Sequence, residues 1–505
     1  MTSPRKKVLF IVLDQLRAEC VFGGLFGGPV MPRLAELMGQ SAVFRRHFSN
    51  ANPCGPARAC LLTGLYAMNH RSVRNGSPLS AHHTNVALEI RKAGYEPLLF
   101  GYTDTTRDPR TLPPADPDLE SYENVLPGFN EVVEMRFGES LPWRADLKRK
   151  GYALPSDPDD IFRPVAADPA RAPSITDPAV YTAADSDTAF LADRTIEALS
   201  VREDRNWLAH VTFIRPHPPF VAPAPYNTLY DPAEVSPPVS HSSRTDERAV
   251  HPFTEALLGV TRVGDTVRGF DGRIDDDDAS AIQAIRAVYL GLANEVDHHI
   301  GRIVDHLKAT GQFDETLIIV TADHGEMLGD HHSWGKVSFY DAAFRVPLLV
   351  RDPLLPGSHD TALDIMSEAV DIAPTILDWL GLAPPPAFNG RSLLPQLRGE
   401  ESKAKRDYVF FELDYGSAGH LNTLQRSLNV ADANSNLAVL RENRFKYVHF
   451  NGGLPPLLFD LENDPDELRD LAGDPAFAPE LQRLSRKMID HRMTFADSTL
   501  GMSAI

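Results

Sequence analysis

Val8-Leu9-Phe10-Ile11-Val12-Leu13-Asp14 is the stretch of sequence that indicates the fold most directly. Its unbroken, partly β-branched apolar run is typical of a strand that is buried on both faces of a parallel sheet. Asp14 follows the run at once, and open α/β sheets bind their ligands beyond the carboxyl ends of such strands. The stretch therefore predicts a central strand that carries a carboxylate at the functional edge of the sheet.

Further apolar runs along the chain repeat this pattern and alternate with helical periodicity. Buried strands are predicted at residues 42–44, 97–100, 207–213, 317–320 and 347–350. Helices are predicted at residues 32–38, 85–93, 186–199, 282–307 and 372–380. This alternation predicts an α/β fold with a large, mainly parallel sheet flanked by helices.

Two long stretches lack such periodicity. Residues 104–182 and 222–278 are rich in Pro and Asp, and we predict that both are irregular excursions from the sheet. The acidic run at residues 275–278 lacks the spacing and the glycine of a calcium loop. It suits the N-terminal end of the helix that follows it.

The character of the sequence changes near residue 400. Short runs at residues 408–411, 437–440 and 445–450 predict a smaller, antiparallel sheet, and residues 479–493 predict a terminal helix. We therefore predict a catalytic α/β domain at residues 1–400 and a smaller C-terminal subdomain at residues 401–505.

Composition and charge argue against nucleic acid and membranes as partners. The chain has 50 Lys and Arg residues against 69 Asp and Glu, a net charge of -19, and no basic run stands out. The apolar run at residues 8–13 ends too early for a signal peptide, and no apolar stretch is long enough to span a bilayer. The three cysteines, Cys20, Cys54 and Cys60, cannot form a set of disulfide bonds that holds the fold together, which fits a reducing compartment. We therefore predict a cytoplasmic enzyme.

Cys54-Gly55-Pro56-Ala57-Arg58 is a stretch whose residues suggest a reactive or anion-binding site. Pro56 suits a first helical turn, so a helix is predicted at residues 57–66 with Cys54 at its N-terminal mouth. The positive end of the helix dipole favours an anion there, either a thiolate on Cys54 or a bound oxyanion beside it. Arg58 lies one turn further and offers two donors to a tetrahedral oxyanion. The alternative is a half-buried structural cysteine near a helix start.

Polar side chains follow several predicted strands, and parallel strands bring their carboxyl ends to one edge. Asp14, Asp323 and His324 are predicted to converge there as oxygen and nitrogen ligands of one divalent ion. Dominant carboxylates favour calcium, manganese or magnesium over zinc or copper. Taken singly, Asp14 is also compatible with a helix cap, and His324 with a hydrogen bond in a loop.

Four further residues are candidates for substrate contacts at the same edge. His217, fixed between prolines, is a candidate general acid for the leaving group, and Lys336 a candidate donor to a second oxyanion oxygen. Tyr102 is a candidate substrate contact and Asn75 a candidate oxyanion donor. The alternative for Lys336 is a solvated surface lysine, and the alternative for Tyr102 is a buried aromatic residue. The alternative for Asn75 is a turn residue before Gly76.

Taken together, these residues resemble the sulfatases of the alkaline phosphatase superfamily over nearly the whole chain. The motifs that carry the resemblance are Asp14, Cys54 to Gly64, Asp323-His324-Gly325, Lys336, Phe459-Asp460-Leu461 and Asn463-Asp464-Pro465. Within that family the chain is most similar to bacterial phosphonate monoester hydrolases and their arylsulfatase relatives. This second likeness rests on Met68-Asn69-His70-Arg71, Gly101-Tyr102-Thr103, Arg215-Pro216-His217-Pro218-Pro219-Phe220 and Gly329-Asp330-His331-His332.

The resemblance implies specific roles. A formylglycine-generating enzyme would oxidise Cys54 to formylglycine, the nucleophile, and one divalent metal (Ca²⁺ or Mn²⁺) would be bound by Asp14, residue 54, Asp323 and His324. Substrate binding or leaving-group assistance would fall to Arg58, Asn75, Tyr102, His217 and Lys336. The resemblance also implies small-molecule ester substrates and a homo-oligomer, a dimer or a tetramer.

The sequence departs from the family pattern at three positions. Many sulfatases have two successive aspartates where this chain has Asp14-Gln15, and a lysine and a histidine where Tyr102 and Asp104 stand. The loss of those cations suits substrates that carry a single negative charge. Phosphonate hydrolases tend to have a threonine in place of Asp104, so the negative charge of this candidate substrate-binding residue is unusual even for that subgroup and leaves the substrate preference open.

The functional hypothesis is hydrolysis of sulfate esters (arylsulfatase), or of phosphonate monoesters and phosphodiesters, by double displacement through a covalent intermediate on residue 54. A conventional phosphodiesterase with a serine or threonine nucleophile is the nearest rival, but Cys54 occupies that position. The rival from another class is a catalytically silent anion-binding or metal-binding protein with an unmodified Cys54.

Overall fold

The computed structural model describes residues 6–136, 140–400, 406–417 and 419–497. The strands are β1 (Lys7–Leu13), β2 (Ala42–Phe48), β3 (Ala51–Asn52), β4 (Glu96–Gly101), β5 (Asn130–Glu134), β6 (Trp207–Phe213), β7 (Thr316–Ala322), β8 (Arg345–Arg351), β9 (Thr361–Glu368), β10 (Tyr408–Asp414), β11 (Asn436–Glu442), β12 (Phe445–Phe450) and β13 (Leu457–Asp460). The α-helices are α1 (Ala18–Phe22), α2 (Pro32–Met38), α3 (Cys54–Thr63), α4 (Ala67–His70), α5 (Val86–Lys92), α6 (Leu141–Arg149), α7 (Asp187–Ser200), α8 (Arg244–Arg248), α9 (Pro252–Val260), α10 (Ala279–Ala309), α11 (Asp341–Phe344), α12 (Ile372–Leu380), α13 (Leu394–Leu397), α14 (Thr423–Leu428) and α15 (Ala478–Phe495).

An eight-stranded sheet in the order β5-β4-β6-β1-β7-β8-β2-β9 forms the centre of the fold. β1 lies between β6 and β7 and is parallel to both, while β8 is antiparallel to its two neighbours. Alternate residues of β1 enter different cores: Leu9 and Ile11 pack with α7 and α10, and Val8 and Phe10 pack with α5 and α12. Helices therefore cover both faces of a mainly parallel sheet, which confirms the predicted fold class.

A second sheet has five strands in the order β13-β12-β11-β10-β3. β10 to β13 are antiparallel, as predicted, and α15 packs against them through Leu484 and Met488. The unpredicted β3 pairs in parallel with β10, so this sheet adjoins the segment that carries Cys54. The division into two domains stays a prediction, and residues 401–405 beside its boundary lie outside the described residues.

The two stretches expected to be irregular contain regular elements, so that expectation was wrong. Residues 104–182 include β5 and α6, and residues 222–278 include α8 and α9. α6 is highly charged, and its periodicity is weak because only part of one face is buried, with Trp143 stacked on Phe162. The acidic run behaves as predicted, because Asp278 caps α10 by accepting hydrogen bonds from the backbone N–H groups of Ser280 and Ala281.

Two observations bear on the predicted location of the protein in the cell. Within the described ranges, no helix combines the length and the apolar character that are needed to cross a membrane. Cys20, Cys54 and Cys60 are buried and carry free thiols.

Candidate active site

Helix α3 begins at Cys54 itself, three residues earlier than predicted, and ends at Thr63 before Gly64 with φ 65°. The early start is possible because the N–H groups of a first turn have no intrahelical partner, so Pro56 costs no hydrogen bond. Gly55 permits a close approach: a Cβ there would lie 3.0 Å from the Asp104 carbonyl oxygen and 3.1 Å from Asn75 Oδ1. The predicted position of Cys54 at the positive end of a helix is thus observed.

Four buried donor groups converge beside this helix end. Ligand atoms of Asp14, Cys54, Asp323 and His324 all lie within 4.8 Å of one another. Asp14 follows β1, and Asp323 and His324 follow the adjacent parallel strand β7, so the sheet itself brings them together. His324 Nε2 lies 3.3 Å from Cys54 Sγ and 3.6 Å from Asp14 Oδ1.

The electrostatics of this cluster fit a bound cation. Burial and the neighbouring Asp14 raise the pKa of Asp323 to about 7, because two buried carboxylates repel each other. Burial and Lys336 lower the pKa of His324 to about 3, so this imidazole is neutral. Its Nδ1–H donates to the Gly325 carbonyl oxygen at 3.1 Å, which leaves the Nε2 lone pair for a ligand. Two carboxylates and a neutral imidazole are a donor set for a divalent ion.

Arg58 makes more hydrogen bonds within this cluster than the sequence suggested. Its Nε donates to Asp323 Oδ2 at 3.0 Å, and its Nη2 donates to Asp14 Oδ2 at 3.1 Å and to the Tyr102 hydroxyl at 2.9 Å. Its Nη1 is buried and has no hydrogen-bond partner in the described part of the chain. The two N–H groups of this one nitrogen are therefore the donors that Arg58 has left for an oxyanion.

The Cys54 thiol is neutral in this environment. Burial, reinforced by Asp14, raises its pKa well above the ordinary value, although Lys336 opposes the shift. Lys336 Nζ lies 3.0 Å from Cys54 Sγ and 2.9 Å from Gln15 Oε1. The raised pKa therefore disfavours a thiolate at this helix end.

His217 lies on a loop that a buried arginine holds in place. Arg215 pairs with Asp187 at 3.0 Å and donates to the carbonyl oxygens of His217 and Pro219. The Nδ1–H of His217 donates to the Pro218 carbonyl oxygen at 2.7 Å, and burial together with Lys336 lowers the pKa of His217 to about 3. The free site thus presents a neutral imidazole, which must gain a proton before it can act as an acid.

The three predicted substrate-binding residues occupy different positions. Asn75 Oδ1 accepts a hydrogen bond from the Gly55 backbone N–H at 2.9 Å, so its amide N–H groups are the donors left for a ligand. The Tyr102 hydroxyl donates to Asp14, and its ring lies 4.1 Å from the Arg58 guanidinium, so it supports the cluster. Asp104 is 7% exposed at φ 48°, and burial raises its pKa to about 7 despite Arg58.

Two buried side chains that were given no role, Gln15 and Glu326, link the segments that carry Asp14, His324 and Lys336. Gln15 accepts from Lys336 through Oε1 and donates to Glu326 through Nε2, while Glu326 Oε1 accepts from the backbone N–H groups of Leu328 and Gly335. The available signal was their position, directly after Asp14 and after Asp323-His324-Gly325. Gly325 is required there because a Cβ would clash with the Ala342 carbonyl oxygen.

Comparison with known proteins agrees with this arrangement. The sulfatase family model matches residues 6–382, and the model for the C-terminal region of N-sulphoglucosamine sulphohydrolase matches residues 329–494. The chain therefore belongs to the sulfatase family, as the sequence motifs indicated.

Three relatives locate the chain within this family. It is 38% identical to the multifunctional alkaline phosphatase superfamily protein PehA of Trinickia caryophylli, over 98% of this chain and 97% of that one. Among solved structures, the phosphonate monoester hydrolase SpPMH of Silicibacter pomeroyi shares 48% identity at a TM-score of 0.95, covering 99% of this chain and 98% of that one. The phosphonate monoester hydrolase of Agrobacterium radiobacter shares 40% identity at a TM-score of 0.91, with the same coverage.

Proposed function

We propose that the protein hydrolyses sulfate esters, or phosphonate monoesters and phosphodiesters, through a formylglycine formed from Cys54. The observation that carries the proposal is the position of the Cys54 side chain. It lies 3.0 Å from Lys336 Nζ and 3.3 Å from His324 Nε2, at the N-terminus of α3 and inside the carboxylate cluster. Similarity to phosphonate monoester hydrolases over nearly the full length supports this choice of substrates.

Asp14, residue 54, Asp323 and His324 would hold one divalent ion, Ca²⁺ or Mn²⁺. When bound, that ion supplies Lewis acidity that lowers the pKa of an oxygen nucleophile. The other contributions come from the chain itself. Arg58 Nη1 and Lys336 Nζ donate to the oxygens of the group under attack, and the amide N–H groups of Asn75 are further donors.

The reaction proceeds in two displacements at residue 54. Hydrated formylglycine carries two hydroxyl groups on one carbon, and one of them, deprotonated, attacks sulfur or phosphorus while the ester oxygen departs. His217, protonated once an anionic substrate offsets its burial, gives its proton to the departing alcohol or phenol. The second hydroxyl then gives its proton to His217, which the first step left neutral, and the bond between the carbon and the oxygen of the transferred group breaks. Sulfate, phosphonate or, from a phosphodiester, a phosphate monoester leaves. The restored aldehyde takes up water.

Asp104 shapes the preference within this chemistry. Above its pKa of about 7, the Asp104 carboxylate near Arg58 and residue 54 disfavours substrates that bring a second negative charge, and it therefore favours monoanionic esters. The free energy cost of burying a substrate among the other anions of the site is smallest when the substrate carries a single negative charge.

Three further parts of the proposal concern the protein in its cell. A formylglycine-generating enzyme converts Cys54, and the chain assembles as a homodimer or homotetramer, both on the grounds of family membership. A cytoplasmic location is supported by the free thiols of all three cysteines.

Turnover of an ester panel by the wild type and by Cys54→Ala tests the proposal. The variant is expected to keep its circular dichroism spectrum and to lose turnover, because no other side chain supplies the nucleophile. Chelation should abolish wild-type turnover, and Mn²⁺ or Ca²⁺ should restore it. Near-wild-type turnover by Cys54→Ala would refute the formylglycine mechanism, whereas bound metal without turnover in the wild type would favour a silent binding protein.

A further inference from the structure

A cavity of about 600 Å³ opens beside the reacting groups. Gln15, Asn75, His217 and Lys336 line one part of it. Because Lys336 Nζ is 3.0 Å from Cys54 Sγ, a molecule in this cavity lies next to residue 54. Arg58, Asp14 and His324 do not contribute to its lining, so the cavity is separate from the charged cluster.

The remaining walls of the cavity are largely apolar. They come from α9, from the loop around Lys336 and from the C-terminal region, and the apolar lining includes Leu257, Val260, Trp334, Val337, Leu413 and Leu424. Since three separate segments contribute, the apolar character belongs to the assembled site and not to one helix face.

The charged and amide side chains in these walls already have partners within the protein. Arg74 pairs with Asp414 at 2.6 Å and with Asp432 at 2.9 Å. Asn422 accepts a hydrogen bond from the Gln425 backbone N–H and donates one to the Tyr415 carbonyl oxygen. Away from the reacting groups, the cavity therefore offers apolar contact more than charge.

The positions of His217 and Lys336 indicate which part of a substrate enters. The charged sulfate or phosphonate group belongs with Arg58 and the metal ligands, outside the cavity lining. His217, the proposed proton donor to the ester oxygen, lines the cavity. The group attached through that oxygen, the leaving group, is therefore the part that extends into the cavity.

We propose that this cavity binds the leaving group and selects bulky apolar alcohols or phenols that are larger than a single aromatic ring. Its volume of about 600 Å³ falls within the range of clefts that bury whole drug-sized molecules, so one phenyl ring leaves much of the apolar wall uncovered. The inference rests on the proposed function, since selection is expressed through turnover at residue 54.

A series of esters with one transferred group and leaving phenols of similar acidity measures this selection. We expect kcat/KM for the 2-naphthyl and 4-biphenyl esters to exceed that of the phenyl ester by about tenfold or more, because each additional ring buries several carbons. Equal kcat/KM across a series that is turned over would overturn the cavity proposal and leave the proposed function standing. No turnover of any ester would overturn the proposed function, and this inference with it.

Variants at the end of α9 locate the effect. Val260→Asp places a carboxylate on the apolar wall, and Val260→Trp narrows the cavity without a charge; both should reduce the ratio of 2-naphthyl to phenyl kcat/KM. Gly259→Asp introduces the same carboxylate one residue earlier, at a position outside the lining where a Cβ meets Arg248 Nη2 at 4.0 Å, and should keep the wild-type ratio. An unchanged ratio in both Val260 variants would contradict the assignment.

A binding measurement tests the cavity without catalysis. Free 2-naphthol should bind the Cys54→Ala protein at least about tenfold more tightly than phenol, and Val260→Asp in that background should remove the difference. Equal affinity for the two phenols would overturn the proposal whatever the turnover results show.

Discussion

Replacement of Lys336 by methionine removes a cation from the immediate surroundings of residue 54 and keeps most of the side-chain length. Lys336 Nζ donates to Cys54 Sγ at 3.0 Å and to Gln15 Oε1 at 2.9 Å. Although burial disfavours its charge, the pKa of Lys336 lies above its ordinary value because of its hydrogen bond to residue 54 and the nearby carboxylates of Asp14 and Asp323. A charged donor in such a position is expected to stabilise the group under attack.

The size of the effect follows from the burial of the site. Cys54 is 4% exposed and Asp14 is 2% exposed, so little water can replace the lost ammonium group. Loss of one preorganised donor to a developing oxyanion costs about 10²- to 10³-fold in kcat, or about 3–4 kcal/mol. Because the ammonium also attracts the substrate anion before reaction, we expect KM to rise as well, and kcat/KM to fall by more than kcat.

Steady-state kinetics on a sulfate and a phosphonate ester, with metal in excess, provide the assay. Lys92→Met is the matched control, since the Lys92 side chain is 68% exposed and pairs with Glu89 on α5. It should leave kcat and KM unchanged. A folded Lys336→Met enzyme whose kcat/KM falls by less than about fivefold would refute the placement of this lysine at the reacting group.

Three further predictions concern specificity, pH and packing. At pH 8, above the Asp104 pKa of about 7, Asp104→Thr should raise kcat/KM for a dianionic phosphate monoester relative to a monoanionic sulfate ester by about tenfold, and an unchanged ratio would contradict the charge argument. Burial and Asp187 raise the pKa of Glu295 from 4.5 to about 8, so between these pH values the native state keeps a proton that the unfolded chain loses. The contribution of this proton to the free energy of unfolding is complete below pH 4.5 and is lost as the pH rises through about 8. Glu295→Gln should therefore raise the urea midpoint at pH 8, with a gain that shrinks toward pH 4.5, whereas a pH-independent difference would rule out titration of Glu295. Trp143→Ala, at 1% exposure, should lower the free energy of unfolding by about 3–5 kcal/mol, and Leu141→Ala on the same helix, at 57% exposure, by less than about 1 kcal/mol; similar losses in urea titrations would show that α6 is not anchored by its tryptophan.

The parts of the fold that follow from local patterning were accessible from the sequence. β1 and β7 are continuous apolar runs, so their burial and the positions of Asp14 and Asp323 at their ends followed directly. The convergence of these residues required only the rule that parallel strands share one functional edge. The position of Cys54 at a helix start followed from Pro56.

Features that depend on tertiary partners could not be predicted in this way. β3 has two residues, and its pairing with β10 joins segments about 360 residues apart, so no local signal marks it. β9 is an edge strand that alternates between half-buried and exposed residues near its start, and its pairing with β2 defines it. The sequence analysis assigned the Arg58 N–H groups to a substrate. Three of them donate instead within the site, two of these to Asp14 and Asp323, which lie just after β1 and β7 and are distant from Arg58 in the sequence. No local pattern could indicate these partners.

The mass of the tryptic peptide of residues 47–58, from active protein produced together with a formylglycine-generating enzyme, tests the central claim most directly. The predicted result, after treatment with iodoacetamide, is a peptide that is not alkylated and is lighter than the thiol form by the exchange of the Cys54 thiol for an aldehyde, or carries the hydrate of that aldehyde, in a fraction that matches the active fraction. An unmodified thiol throughout a preparation that hydrolyses the esters would contradict the claim.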